Sequence, residues 1–251
     1  MIAEKGQFVK KTIHYAAEPR HVREVSLLGT ADLGYWSKHL HDERLVPLDR
    51  NGRAGIMIIA AEMAFMGIRF TEVSFSTLVD PKETGRGEAA FLIQAFNTFR
   101  FFAFCERRIF STPYSHADCR VAVGAPASIG IVQEGVSVFH AQMAPVSSAS
   151  PREPAEVGAG GWEGPVFLPS NRGGVSAEGR LFFGRVSGPT RTYPYDSGAD
   201  EISLASSPAE GIFRMLVDSR FTGEQWAVRD DATHGKSKTY RRSDLSADDP
   251  R

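Results

Sequence analysis

The stretch from Gly55 to Val79 restricts the fold more than any other part of this chain. Gly55 to Phe65 is a nearly unbroken apolar run, interrupted by the single charge of Glu62. Such a run suits a strand buried on both faces. Gly67 breaks it, and Ile68 to Val79 resumes as a second strand rich in Phe, Val and Thr. Asp80-Pro81 and Gly85-Arg86-Gly87 supply the turn residues that follow, and Ala89 to Ala95 reads as a third strand. The spacing predicts an antiparallel meander.

The flanking sequence extends this pattern. Gln7 to Tyr15 and His21 to Gly29 read as strands, and Thr30 is placed to cap a short helix whose Leu33, Trp36 and Leu40 share one face. Asn97 is an N-cap for a helix to about Ile109, apolar nearly all round at Phe99, Phe101, Phe102, Phe104 and Cys105, which predicts burial. Arg107 and Arg108 suit its C-terminal end and Pro113 stops continuation. Strands are expected at His116–Val123, Ile129–Gln133, Val136–Gln142, Gly164–Leu168, Gly179–Ser187, Thr190–Tyr195, Trp226–Arg229 and Ser237–Arg241. Ser207-Pro208-Ala209-Glu210 is a strong helix start. The Pro, Ser, Ala and Gly composition of about 145–161 predicts a mobile loop, either a surface insertion or a lid. The tail 243–251 reads as disordered. Together these give a single domain over 1–242 of β-rich α+β class, whose many short strands favour a sandwich or a closed or partly closed barrel.

Several function classes are disfavoured. Lys and Arg total 29 against 30 Asp and Glu, without the cationic surplus that nucleic acid demands. No apolar run reaches membrane-spanning length. The first residues lack a signal-peptide core, and Cys105 and Cys119 cannot make a disulfide framework, so a cytoplasmic setting with reduced thiols is expected. Dinucleotide and phosphate-loop fingerprints, the Gly-x-Ser-x-Gly elbow and Cys-x-x-Cys pairs are all missing.

Four constellations carry chemistry. Glu72 shares a strand face with Ile68, Phe70, Ser74, Ser76 and Leu78. A carboxyl among such neighbours has its pKa raised, as a general acid or base needs, unless an Arg pairs with it as a structural strut. His116, Asp118 and Arg120 alternate on one strand face, forming a polar site if that face meets a cavity and ordinary surface if it meets water. His39 and His41 with Asp42 and Glu43 offer metal-binding groups without a known ligand spacing, so no metal is assigned. His234 to Arg242 is basic around Tyr240; it reads as a solvated edge strand, or as a source of Lys236 or Lys238 for an acidic substrate.

Residues Gly67 to Val123 resemble the acetoacetate decarboxylase-like superfamily. Phe70-Thr71-Glu72-Val73 looks like that family's aromatic-x-Glu strand. Ala90 to Phe104 looks like its strand and buried helix, and Arg107 to Ser115 looks like its Gly-Arg-Glu-x-x-Gly-x-Pro-Lys-Lys segment. The resemblance implies a conical, partly closed antiparallel β-barrel with peripheral helices around a small-molecule cavity. It places Glu72 in the active site and matches Arg107 to the motif Arg. The family's Schiff-base lysine is replaced by Tyr114, followed by Ser115, and none of the seven lysines occupies that position. A phenol cannot form an imine, so decarboxylation by that route is not expected.

The expectation is therefore an enzyme doing acid-base chemistry, of lyase or isomerase type, on an enolisable carbonyl or carboxylate compound without a Schiff base. Some relatives of this fold serve natural-product biosynthesis. Glu72 would be the acid or base, and Tyr114 the donor to a developing enolate oxygen. His116 or Arg120 would carry a proton or hold a carboxylate, and Arg107 would bind substrate. Glu72 and Tyr114 are expected to meet in one cavity. No cofactor, nucleic acid or membrane is implied, and self-assembly stays open. The alternative is a non-catalytic binder of a small apolar or aromatic acid in the same cavity.

Overall fold

A computed structural model describes residues 13–80, 88–124, 126–145, 153–170, 179–205 and 211–245. The expected helix start at Ser207 and most of the expected first strand lie outside them. In chain order the elements are β1 (Tyr15–Ala17), β2 (Val22–Asp32), α1 (Leu33–His41), β3 (Asp49–Arg50), β4 (Arg53–Phe65), β5 (Ile68–Val79), β6 (Ala89–Asn97) and α2 (Arg100–Arg108). They continue with β7 (Tyr114–His116), β8 (Asp118–Ala122), β9 (Ser128–Gln133), β10 (Val136–Gln142), β11 (Glu156–Leu168), β12 (Arg180–Pro194), β13 (Glu201–Leu204), α3 (Ile212–Asp218), β14 (Thr222–Ser237) and β15 (Tyr240–Arg241). A 3₁₀ turn follows at Arg242–Leu245.

The meander forms as its apolar pattern dictates. β4 and β5 pair antiparallel from Ile56↔Thr77 to Phe65↔Ile68, across a two-residue turn at Met66 and Gly67. Both turn residues have positive φ, 51° and 79°, the geometry that matches the twist of the flanking strands and favours Gly. β2 joins the other side of β4, and β6 the other side of β5. The path β14-β2-β4-β5-β6-β11-β12 then closes through pairing of β12 with β14, making a ring of seven strands. The ring is antiparallel except between β6 and β11; β7 also lies parallel to β6.

Alternation of side chains divides the ring into two environments. Val25, Leu27, Ile56, Ile58, Ala60, Val73 and Phe75 point outward into a core shared with α3 and a second sheet of order β13-β10-β9-β8. Phe75, Phe96, Phe139 and Phe213 pack there in edge and stacked contacts. Their neighbours in sequence, including Met57, Ile59, Glu72 and Ser74, point inward and line a cavity. β4 is thus apolar on both faces because one meets the core and the other the cavity.

Several expectations need correction. The loop expected at about 145–161 ends by Glu156, where β11 begins; Gly158, Gly160 and Gly161 run as strand opposite Thr190, Gly188 and Ser187. Residues 146–152 lie outside the described set. The tail expected from Ser243 is a 3₁₀ turn to Leu245, and the rest lies outside the described residues. Asp32, not Thr30, caps α1, its carboxylate accepting from the Tyr35 N–H at 2.6 Å, because β2 stays paired with β4 through Asp32. α2 is not buried all round: only Ala103 is, while Phe101 and Phe104 are 61% and 51% exposed. Its neighbours lie on one side, so its other side faces solvent. The two strands expected near the C-terminus are one long β14 followed by short β15. No helix among the described residues is long and apolar enough to cross a membrane.

Candidate active site

The seven-strand ring encloses a cavity of about 370 Å³. Its walls are mainly apolar: Met57, Ile59 and Met63 from β4, Phe70 from β5, Leu92 from β6, and Val166 and Phe182 across the ring. Phe101, Phe102 and Phe110 close one side.

Strand register brings polar groups into this setting. Glu72 on β5 stands opposite Asn97 on β6, and Ala95, two residues away, stands opposite Tyr114 on β7. The Tyr114 hydroxyl donates to Glu72 Oε1 at 2.9 Å, and Asn97 Nδ2 donates to Oε2 at 3.4 Å. Asn97 also accepts from the Phe99 N–H at 2.8 Å with its own carbonyl, tying the site to the entry of α2. Glu72 is only half-buried by its neighbours because it borders the cavity, yet it lies deep in the protein. Burial raises its pKa; Lys236 opposes this, Glu106 adds to it, and the hydrogen bonds of Tyr114 and Asn97 lower it in part. Burial and the carboxylates of Glu72 and Glu106 push Tyr114 well above the usual phenol range. It therefore stays a neutral donor.

Two further groups complete this side. Lys236 Nζ on β14 donates to Glu106 Oε1 at 2.6 Å, and the Thr112 hydroxyl donates to Oε2 at 2.7 Å. The ammonium lies 5.3 Å from the Tyr114 ring centroid and 5.0 Å from that of Phe182, within cation–π range. Of the two expectations for this segment, a solvated edge strand or a source of Lys236 or Lys238 for an acidic substrate, the edge does not hold at Lys236: β14 pairs with β12 at Gly184↔Lys236 and turns the side chain to the cavity. Glu106 was missed altogether. Its signal was an acid in the last turn of a helix, against the dipole, which calls for a compensating cation.

The other expected site residues do not join Glu72 and Tyr114. His116, Arg107 and Arg120 are exposed and none borders the cavity. The single strand expected at His116–Val123 breaks at Ala117: β7 pairs with β6 of the ring, while β8 pairs with β9 in the second sheet. His116 is the end of one strand, and Arg120 lies on the outer side of another. Arg107 sits on the solvent side of the last turn of α2. Glu43, considered with the two histidines as a metal group, accepts instead from the Ser170 N–H and hydroxyl.

A second polar cluster borders the same cavity. Glu24 on β2 is fully buried. Its Oε1 accepts from the Ser26 hydroxyl at 2.6 Å and from Arg229 Nη1, and its Oε2 lies 2.5 Å from His234 Nε2. Arg229 is fixed further by its Nε donating to Thr190 Oγ1 at 2.9 Å. Burial alone would raise the Glu24 pKa, but the His234 hydrogen bond and charge, Arg229 and Ser26 outweigh it and hold it at about 2. Glu24 is ionised and cannot donate, so Nε2 of His234 carries a proton and donates it toward Oε2.

No family model matches the sequence, and no curated protein matches it. Solved structures do share the fold. Acetoacetate decarboxylase from Legionella pneumophila subsp. pneumophila str. Philadelphia 1 aligns over 95% of this chain and 91% of its own, at 14% identity and TM-score 0.59. A structure described as acetoacetate decarboxylase aligns over 92% and 91%, at 10% identity and TM-score 0.60. An acetoacetate decarboxylase-like enzyme from Sphingomonas wittichii RW1 aligns over 91% and 93%, at 12% identity and TM-score 0.56. The fold is that of the acetoacetate decarboxylase-like proteins.

Proposed function

We propose that this protein is a small-molecule enzyme that enolises a carbonyl or carboxylate compound by acid-base catalysis, of lyase or isomerase type, without a Schiff base. The observation that carries the reading is the contact of Tyr114 with Glu72 at 2.9 Å inside an apolar cavity. A carboxyl whose pKa is raised by burial is a stronger base than an exposed one, and a phenol that stays protonated stabilises an enolate oxygen. Glu72 would take the α-proton, and as it is protonated the single Tyr114 O–H would turn from Glu72 Oε1 to the oxygen that gains charge. No Arg locks Glu72 among the described residues, whereas Arg229 holds Glu24 and Arg185, on the cavity wall, holds Glu18. That distribution favours chemistry at Glu72 over a purely structural role.

The walls select the substrate class. Aromatic and methionine side chains suit an apolar or aromatic body, and Lys236 suits a carboxylate. As an ammonium donating to Glu106, Lys236 has its nitrogen lone pair occupied by a proton, which supports a cationic rather than a nucleophilic role. Borohydride reduction in the presence of phenylpyruvate, followed by peptide mass spectrometry, is expected to leave Lys236 unmodified. A reduced adduct there would replace the acid-base reading with an imine mechanism.

Phenylpyruvate also tests enolisation, since it is an aromatic 2-keto acid with acidic hydrogens at C3. In D₂O the wild type is expected to exchange them for deuterium faster than the spontaneous background. Glu72→Gln is expected to lower the Glu72-dependent rate by about a hundredfold to ten-thousandfold, the usual worth of a positioned proton carrier. Equal rates in wild type and buffer, with binding intact by calorimetry, would favour the non-catalytic binder.

A further inference from the structure

His234 and Lys236 stand two residues apart on β14 and both border the cavity. β14 lies three strand steps from β5 by way of β2 and β4, and four the other way, so it forms the wall across the ring from Glu72. His234 stands opposite Val186 on β12, and Val186 stands opposite Trp162 on β11, so the three share one row facing inward. Nε2 of His234 is engaged by Glu24, and its Nδ1 has no partner among the described residues. The Trp162 indole nitrogen is buried in the same wall, likewise without an acceptor among the described residues.

Resting on the enolisation reading, we propose that His234, oriented by Glu24, is a second catalytic proton carrier that works on the face of the substrate opposite Glu72. Glu24 is a positioning residue: its carboxylate fixes the imidazole tautomer with the proton on Nε2 and leaves Nδ1 for the substrate. Arg229, Ser26 and Thr190 hold Glu24 in place and do not border the cavity. In the step assigned to His234, its Nδ1 lone pair takes a proton from the α-carbon. The C–H electron pair enters the enolate, whose oxygen accepts from Tyr114. Return of a solvent-exchanged proton from Nδ1 to the same carbon re-forms the C–H bond and restores the imidazole. With Glu72 doing the same from the other wall, a proton can leave one face and arrive on the other. This makes a proton shift or an inversion at an α-carbon the matching reaction class, and an acid with a prochiral or stereogenic α-carbon the matching substrate.

Phenylpyruvate in D₂O separates this from the enolisation reading, because its C3 carries two hydrogens of opposite facial sense. The wild type is expected to wash out both, and mono-deuterated material trapped early, by rapid reduction and chiral analysis at C3, is expected to contain both configurations. His234→Gln is expected to keep the Glu72-dependent wash-out within a few-fold and to slow the other by about a hundredfold or more. The retained half of the reaction reports that the variant is folded. A single configuration in the wild type, or wash-out of both hydrogens by His234→Gln at wild-type rates, would overturn the role of His234 while leaving Glu72 as base. No wash-out by the wild type above background would overturn the enolisation reading and this inference together.

Discussion

Glu24 and Glu72 occupy one row of one sheet. Glu24 pairs with Ala61 on β4, and Ala61 pairs with Glu72 on β5, so the two carboxylates stand two strands apart, roughly 10 Å by strand spacing. Burial pushes both in the same direction. Their partners oppose that push to different extents: an imidazole, a guanidinium and a hydroxyl outweigh burial and hold Glu24 at about 2, while at Glu72 a phenol, an amide and a Lys already committed to Glu106, with the Glu106 carboxylate working against them, offset burial only in part, and its pKa stays raised. The partner set, not depth, decides which acid is locked and which can exchange a proton.

Exchanging each acid for its amide breaks this comparison at its strongest point. Glu72→Gln is expected to cost the hundredfold to ten-thousandfold in enolisation given above, with its melting temperature little changed or raised, because a poorly compensated buried acid is removed. Glu24→Gln is expected to do the reverse in stability. It leaves Arg229 buried beside a neutral amide, at a cost of about 3–5 kcal/mol. For a chain this size that is roughly a 10 °C fall in melting temperature by calorimetry. If Glu72→Gln melts as low as Glu24→Gln, Glu72 is a strut and the assignment of roles is wrong.

The pH dependence sharpens the same contrast. Glu24 is at about 2 in the fold against an ordinary 4.5, so its contribution is whole above pH 4.5 and is lost as pH falls through about 2. That is worth about 3 kcal/mol. The stability gap between wild type and Glu24→Gln should be flat above pH 5 and close steadily toward pH 2. Glu72 has the opposite sign: a raised carboxyl favours folding below its ordinary value and loses that contribution as pH rises through its folded value. Stability of Glu72→Gln relative to wild type should therefore increase with pH. A gap for Glu24→Gln that widens on acidification would contradict the locked state.

The two acids also differ in how readable they were. β5 was expected at Ile68–Val79 and is found there, because a strand that alternates between a core and a cavity announces its own parity; Glu72 and its inward direction followed. Tyr114 came from the resemblance at Pro113-Tyr114-Ser115, and the ring's register brings it to Glu72. Glu24 sat unremarked in a strand whose apolar neighbours drew the attention. Its partners Arg229 and His234 are more than 200 residues away, on a strand where Asp230, Asp231 and Thr233 hide the pattern and a register irregularity between Arg229 and Ala232 shifts it. His116 and Arg120 failed for the complementary reason. Local alternation cannot reveal that the chain changes sheets at Ala117. Short-range periodicity thus reads one wall of a ring, and the facing wall depends on which strand closes it.

The smallest expected effect isolates the Tyr114 hydroxyl. Tyr114→Phe keeps the ring against Lys236 and removes the donor to Glu72 Oε1. Loss of one hydrogen bond to a charged group should slow Glu72-dependent exchange roughly tenfold, well short of the loss in Glu72→Gln. The hydroxyl also lowers the Glu72 pKa in the native protein, so its removal lets burial raise that value further. The pH–rate limb belonging to Glu72 should accordingly move to higher pH, measured by deuterium exchange of phenylpyruvate across the neutral range. At constant protein stability, a limb that moves to lower pH would mean that Tyr114 does not stabilise the carboxylate. An unmoved limb with a tenfold slower rate would assign the hydroxyl to the enolate oxygen alone.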